Sequence, residues 1–337
     1  MGRPEGAQPQ PADNQFGWTL DFEVSPRLPY NHGVSELFTR PIDATTRYCA
    51  VYGHPIAHSA SPAIQNGGMA ALGLNWRYLA FDVRPDDLRE AIAGAQAMKF
   101  IGLNLTVPHK LRALEMVNIL DESARTWGAV NTIRFEGKDR TGSWFPLHSV
   151  PEPKEIRSHG FNTDAEAISQ SVREELALKL ANAKVLLLGA GGAGRVAALK
   201  LAAEGISELY LVNRTLHKAE ALRLEIQNRS PQVRVTVGCP TAPIDLLVNA
   251  TSLGLKPEDE FPFDKQKFPL SRAEAVFDMI YRPAETPLLQ QAKAAGCRVA
   301  NGLGMLLRQG AKALEIWTGQ PAPVPEMRAA LQKHIYG

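Results

Sequence analysis

A short apolar run, Lys184-Val-Leu-Leu-Leu188, leads straight into Gly189-Ala190-Gly191-Gly192-Ala193-Gly194 and then into a stretch carrying Ala197, Ala198, Leu199 and Leu201. A buried strand that empties into G-x-G-x-x-G and then a helix constrains the fold more than any other feature of the chain. Gly189 permits the tight turn, Gly191 lets the backbone approach a pyrophosphate, and Gly194 allows helix and strand to pack closely, with the anion resting on the helix N-terminus. The pattern predicts an α/β fold containing a Rossmann-like dinucleotide-binding domain. A purely structural turn is the competing reading.

The next apolar run, Glu208–Val212, ends in Asn213-Arg214-Thr215-Leu-His-Lys218. An NAD-preferring site places an acid there for the ribose 2′-hydroxyl. None is present. Arg214 can stack on adenine and grip a 2′-phosphate, Thr215 can donate to it, and Lys218 adds positive charge one turn later, which favours NADP.

With 337 residues, 45% hydrophobic and 21% charged, the chain is long enough for two cores and too apolar to be disordered. Lys plus Arg (37) against Asp plus Glu (35) gives +2 with no basic run, so no nucleic-acid partner is expected. Cys49, Cys239 and Cys297 lie far apart without metal-ligand spacing, arguing against a disulfide framework or a zinc site. No apolar run approaches the ~20 residues that cross a bilayer, and no signal pattern opens the chain. These readings predict a cytoplasmic protein without a membrane partner.

Residues 1–47, rich in Pro, Gly, Asn and Gln, read as an irregular N-terminal extension. Strands are expected at 48–52, 77–81, 102–106 and 129–135 of a first α/β domain over 48–163. Further strands are expected at 184–188, 208–212, 246–249, 276–278 and 298–299 of the dinucleotide-binding domain over 164–303. A long helix over Asp164–Leu180 should connect the two. Helices near Gly304–Trp317 and Pro325–His334 should pack back on the first domain, joining 304–337 to it.

Four motifs place polar groups at the carboxyl ends of first-domain strands, where ligands of open α/β sheets bind. In Ser59-Ala60-Ser61-Pro62, Pro62 suits the first helical position and Ser61 the N-cap, so both hydroxyls would gather near a positive helix end as a carboxylate cradle. In Asn104-Leu-Thr106-Val-Pro108-His-Lys110, a strand stops at a proline and Lys110 opens a helix, whose dipole, with burial, would make an ammonium a readier proton donor. Gly128-Ala-Val-Asn131-Thr132 offers an amide to a substrate hydroxyl or, equally, a turn residue. Asn162-Thr163-Asp164 puts an acid at a helix start, to orient Lys110 or to act as a simple cap.

These motifs, in this order, resemble the shikimate dehydrogenase family, from about Tyr48 to Gly319. Five further family patterns stand at Gly189–Ala193, Asn213–Thr215, Val248–Gly254, Tyr281–Leu289 and Gly302–Ala311. The resemblance implies reversible NADPH-dependent reduction of 3-dehydroshikimate to shikimate, in aromatic amino-acid biosynthesis, by an N-terminal substrate-binding domain and a C-terminal NADP-binding domain. It makes Lys110 and Asp164 the catalytic pair and Ser59, Ser61 and Tyr281 the carboxylate ligands. Thr106, Asn131, Asp164 and Gln309 would hold ring hydroxyls. The cofactor would meet Gly189, Ala190, Gly191, Gly192, Ala193, Asn213, Arg214, Thr215 and Lys218. Asn249 and Thr251 would lie on its ribose side, and Gly302 and Met305 would line the nicotinamide pocket. The partner is then a small molecule, and the chain a monomer or homodimer. A quinate or quinate/shikimate enzyme using NAD is the near alternative, and a non-catalytic regulatory relative the distant one.

Three departures from the family pattern stand out. Ala60 separates the serines where relatives carry Lys, and that side chain is expected outside the pocket. Ala165-Glu166-Ala167 follows Asp164 where relatives carry a glycine. The segment Arg134–His159 is longer than a compact hairpin and reads as a solvent-exposed insertion.

Overall fold

The computed structural model describes residues 1–2, 41–256 and 258–337. Most of the expected N-terminal extension, residues 3–40, lies outside the described residues. The first part of the chain forms β1 (Arg47–Gly53), α1 (Ser61–Ala71), β2 (Trp76–Asp82), α2 (Leu88–Ala97), β3 (Gly102–Leu105), β4 (Ile119–Leu120), α3 (Glu122–Trp127), β5 (Thr132–Lys138), β6 (Trp144–Pro146) and β7 (Ile156–Phe161). Then follow α4 (Asp164–Glu175), β8 (Lys184–Leu188), α5 (Gly192–Ala203), β9 (Glu208–Val212), α6 (Leu216–Arg229), β10 (Arg234–Val237) and β11 (Ile244–Asn249). The chain ends through β12 (Ala273–Asp278), α7 (Pro287–Ala294), β13 (Arg298–Asn301), α8 (Leu303–Thr318) and α9 (Val324–Tyr336).

The strands make two sheets. The first runs β2-β1-β3-β5-β7-β4 with β6 on β5; β1 is parallel to β2 and β3, while β5 is antiparallel to β3 and β7. The second is parallel throughout in the order β10-β9-β8-β11-β12-β13. Numbered from β8, that is the 3-2-1-4-5-6 order of a Rossmann sheet, whose crossover beside β8 opens a crevice at the strand ends. Leu186, Leu187 and Leu188 are fully buried, as a strand covered by helices on both faces requires.

The last two helices rest on the first sheet. Gln65 of α1 donates to the Gly310 carbonyl of α8, and the buried indole of Trp317 donates to the Ile133 carbonyl of β5. Met327 and Leu331 of α9 share one apolar cluster with Ile64 and Met69 of α1. The three cysteines are free. Among the described residues, no helix is long and apolar enough to cross a membrane.

Three expectations need correction. The connecting helix stops at Glu175, five residues before Leu180. Beyond it Leu176, Leu178 and Leu180 are buried in alternation with exposed neighbours, the two-residue period of extended chain, and Ala177 adopts a left-handed φ of 47°. The Arg134–His159 segment is part of the sheet rather than an exposed insertion. β7 pairs with β5 from Phe161↔Thr132 to Ile156↔Gly137, and Leu147 and Val150 are buried. Its polar sequence hid the strand, because Arg157 and His159 bond the carboxylate of Glu136 on β5 instead of facing water. Finally, the strand expected at 129–135 is displaced to 132–138.

Candidate active site

Three loops at the carboxyl ends of the first sheet's strands carry the predicted groups. After β1, Ser59 accepts a hydrogen bond from the Ser61 amide at 3.3 Å. The helix cap there is Ala60, not Ser61, which is the first helical residue, with Pro62 following it. Ala60 is itself buried, and the Tyr281 hydroxyl bonds its backbone, so the serine loop and Tyr281 do converge. Burial pushes the Tyr281 phenol upward, only partly offset by that bond, which keeps it a neutral hydrogen-bond donor.

After β3, Thr106 and the carbonyl of Val107 lie beside Gly53, where the His54 amide donates to Val107. Lys110 does not open an α-helix. It sits in a turn ahead of a short 3₁₀ helix at Arg112–Glu115, so a helix dipole is not what prepares its amine. Instead the ammonium meets a carboxylate: Lys110 Nζ lies 2.7 Å from Asp164 Oδ2, with side-chain exposures of 28% and 10%. Asp164 is the first residue of α4, where the helix N-terminus favours its anion. The Ala-Glu-Ala that follows leaves α4 regular from that point.

A buried polar network fixes these positions. Asn131 Oδ1 accepts from the Thr163 amide and from the Thr132 hydroxyl, and Asn131 Nδ2 donates to Thr163 Oγ1. Thr163 in turn donates to the Gln309 carbonyl of α8. Asn131 is only 1% exposed, so it holds the Asp164 turn as well as offering its one uncommitted amide hydrogen. The Gln309 side chain donates to its own helix at Leu306, leaving its amide oxygen as the end available to a ligand. Sequence reasoning missed Tyr78, whose buried hydroxyl donates to Asn104 and reaches Ser61. An isolated tyrosine on an apolar strand gives no warning of such a contact.

Across the cleft, the glycine loop behaves as its spacing demands. Gly189 has φ 101°, the left-handed region, and a Cβ on Gly194 would sit 2.1 Å from the Gly189 carbonyl oxygen. Gly191 and Gly192 face open space, with nothing within 4 Å of a notional Cβ, at the start of α5 where a pyrophosphate would rest. Ala190 donates to Asn213 Oδ1, tying the loop to the end of β9. The Arg214 and Lys218 side chains are exposed and have no partner among the described residues, and Thr215 caps α6 by position alone. One side chain turns away from the cleft. Asn249 is fully buried and spends its amide on Asp278, Leu253 and Thr251, so it shapes the following loop rather than facing a ligand. Gly302, at the start of α8, is packed so closely against the Met279 carbonyl that a notional Cβ would sit 2.1 Å from its oxygen.

One cavity of about 250 Å³ joins the halves: Lys110, Asp164, Val107 and Ala129 face Gly192, Ala193, Val196 and Met305 across it. A glycine loop of dinucleotide-binding form and a lysine–aspartate pair lining one hollow are the arrangement of a nicotinamide-dependent oxidoreductase.

Comparison with known proteins narrows that class. The chain belongs to the shikimate dehydrogenase family: residues 51–133 match the shikimate dehydrogenase substrate binding domain, 170–252 match shikimate / quinate 5-dehydrogenase, and 302–332 match the shikimate 5'-dehydrogenase C-terminal domain. A shikimate dehydrogenase (NADP(+)) of Methanopyrus kandleri is 39% identical, over 87% of this chain and 98% of that protein. The shikimate 5-dehydrogenase of Thermus thermophilus, solved in complex with NADP(H) and shikimate, superposes with a TM-score of 0.70 at 34% identity, covering 85% of this chain and 99% of that one. A quinate dehydrogenase of Corynebacterium glutamicum in complex with NAD reaches 0.72 at 27% identity over 86% and 99%.

Proposed function

We propose that this chain is a shikimate dehydrogenase that reversibly reduces 3-dehydroshikimate to shikimate with NADPH. The carrying observation is the 2.7 Å Lys110–Asp164 pair on the wall of a cavity whose other wall is the dinucleotide loop. The curated relative's NADP dependence and the two cations after β9, unpartnered among the described residues, support the cofactor choice.

The residues present fit NADPH: open backbone at Gly191 and Gly192 for the pyrophosphate, Arg214, Thr215 and Lys218 for the 2′-phosphate, and Met305 beside the ring. When bound, it supplies the hydride. Lys110 then donates a proton to the ketone oxygen as charge develops there, and in the reverse direction takes it back. Asp164 keeps the ammonium aimed at that oxygen and accepts a bond from the neighbouring ring hydroxyl. Ser59, Ser61 and Tyr281 donate to the substrate carboxylate, while Thr106, Asn131 and Gln309 meet the ring hydroxyls. A site built to bond hydroxyls rejects analogues lacking them, because its own polar groups would be left unpaired.

The domain division proposed with it is substrate binding by 48–163 together with 304–337, and dinucleotide binding by 164–303. The proposed setting is the cytoplasm, with the chain acting as a monomer or homodimer. A second reading, quinate oxidation with NAD, draws on the quinate dehydrogenase likeness; the basic Arg214 and Lys218 count against it. Turnover of shikimate and quinate, each with NADP and NAD, tests the assignment. Shikimate with NADP should be fastest, and faster quinate oxidation with NAD would reverse it.

A further inference from the structure

The two halves of the site are held together by more than the cavity. Arg195, the fourth residue of α5, directly follows Gly194 of the dinucleotide loop. Its Nε and Nη2 grip both oxygens of Glu225 on α6, at 2.8 and 2.5 Å. The remaining arm, Nη1, crosses to the first sheet's side and donates to the Trp127 carbonyl at 2.8 Å. Glu225 also binds Arg229, which donates to the neighbouring carbonyl of Thr126. Both carbonyls belong to the last turn of α3, the negative end of a helix whose carbonyls lack intrahelical partners.

That helix end lies next to the chemistry in the chain. Gly128 closes α3 with φ 62°, and the Arg195 guanidinium lies against it, 3.1 Å from a notional Cβ. Two residues on, the Val130 amide donates to the Lys110 carbonyl at 2.8 Å, and the following residue is Asn131. A guanidinium fixed bidentately on Glu225 therefore reaches, through its third nitrogen, from the start of α5 to the end of α3 and so to the backbone that carries Lys110 and Asn131.

We propose that Arg195, braced by Glu225, is a positioning residue for the reaction: its hold on the end of α3 sets the distance between the dinucleotide loop and the Lys110–Asn131 backbone. The proposal rests on the oxidoreductase reading above. Arg195 touches neither reacting atom, so its removal should spare cofactor binding and damage the orientation of the hydride step, where a misplacement of about 1 Å costs on the order of 100-fold.

The test compares the native chain with Arg195→Met, Arg195→Lys and Glu225→Gln. For Arg195→Met, kcat for shikimate oxidation should fall by about 10–100-fold while the Kd for NADP stays within about twofold. The kinetic isotope effect with C3-deuterated shikimate should rise, as hydride transfer becomes the slow step. Arg195→Lys should recover part of kcat by restoring one donor. Glu225→Gln, which leaves Arg195 in place but unbraced, should fall between, and it carries the test if Arg195→Met does not fold. Amide hydrogen exchange across residues 122–131 should quicken by about tenfold in the folded variants, with no substrate required. Unchanged kcat, or unchanged exchange, would overturn the proposal, as would loss of NADP binding in step with activity. If the native chain oxidises neither shikimate nor quinate, the reaction reading fails by itself, while the exchange measurement still decides whether Arg195 holds α3.

Discussion

Replacing Lys110 by Met removes the proton-bearing cation on the cavity wall that faces the dinucleotide loop, while keeping the length of the side chain. Loss of a positioned acid–base group costs roughly 10²–10⁴ in rate, or about 3–5 kcal/mol of transition-state stabilisation at 1.36 kcal/mol per decade. The structure also sets the cost in stability. Asp164, with 10% side-chain exposure, loses its 2.7 Å partner, and stripping a fully buried pair costs about 3–5 kcal/mol. Lys110 retains 28% exposure, which lets water reach the carboxylate, and the α4 N-terminus supports the anion by about 0.3–1 kcal/mol. A loss of about 1–2 kcal/mol is expected, a fall in Tm of roughly 1–3 °C for a chain of 337 residues. The assay is NADPH formation from shikimate, alongside Tm by circular dichroism and NADP binding by fluorescence. Lys110→Arg separates the two contributions, since a guanidinium keeps the charge but does not give up its proton. A folded Lys110→Met protein that binds NADP and turns over within about threefold of the native rate would refute the acid–base assignment.

Three other outcomes follow from the same geometry. Gly194→Ala forces a Cβ to within 2.1 Å of the Gly189 carbonyl oxygen, a backbone clash worth about 1–3 kcal/mol; NADP titration should show weakened binding, and equal affinity would remove the close-approach argument. Arg214→Ala should raise the KM for NADP by about tenfold, the value of one exposed charge-assisted bond, with little change for NAD; equal changes would sink the 2′-phosphate role. Burial opposes ionisation of Glu136, but hydrogen bonds from His159, Arg134 and Arg157 outweigh it and draw the carboxyl down to about 2. Its folded value therefore lies below the ordinary ~4.3, so the group contributes about 3 kcal/mol at neutral pH, lost as pH falls from ~4.3 towards about 2. The Tm gap between native and Glu136→Gln proteins should thus shrink on acidification, and a gap that widens would contradict the assigned sign.

How much could be read from the chain depended on the range of the interaction. β8 and β9 begin and end where expected, because a continuous apolar run bounded by glycine or a polar turn is a local signal. The glycine loop was equally legible, since φ 101° at Gly189 and the crowding at Gly194 are demands of backbone geometry within six residues. β7 was not, because its arginine and histidine look solvated until Glu136 is brought beside them from another strand. The helix over Asp164–Leu180 was overextended, because Leu176, Leu178 and Leu180 fit a helical spacing loosely and an extended one better.

The site shows the same division. Sequence alone singled out the candidate groups: a lysine after a strand and proline, an acid at a helix start, hydroxyls before a helix, and a glycine cradle with arginine rather than an acid behind it. Only the tertiary structure decided that Lys110 and Asp164, 54 residues apart, meet at 2.7 Å, that Asn249 turns inward, and that Arg195 reaches across to the end of α3. The reason is physical. A motif encodes the conformations its own backbone can adopt, whereas convergence depends on sheet order and on which side chains find partners once distant strands have been laid side by side.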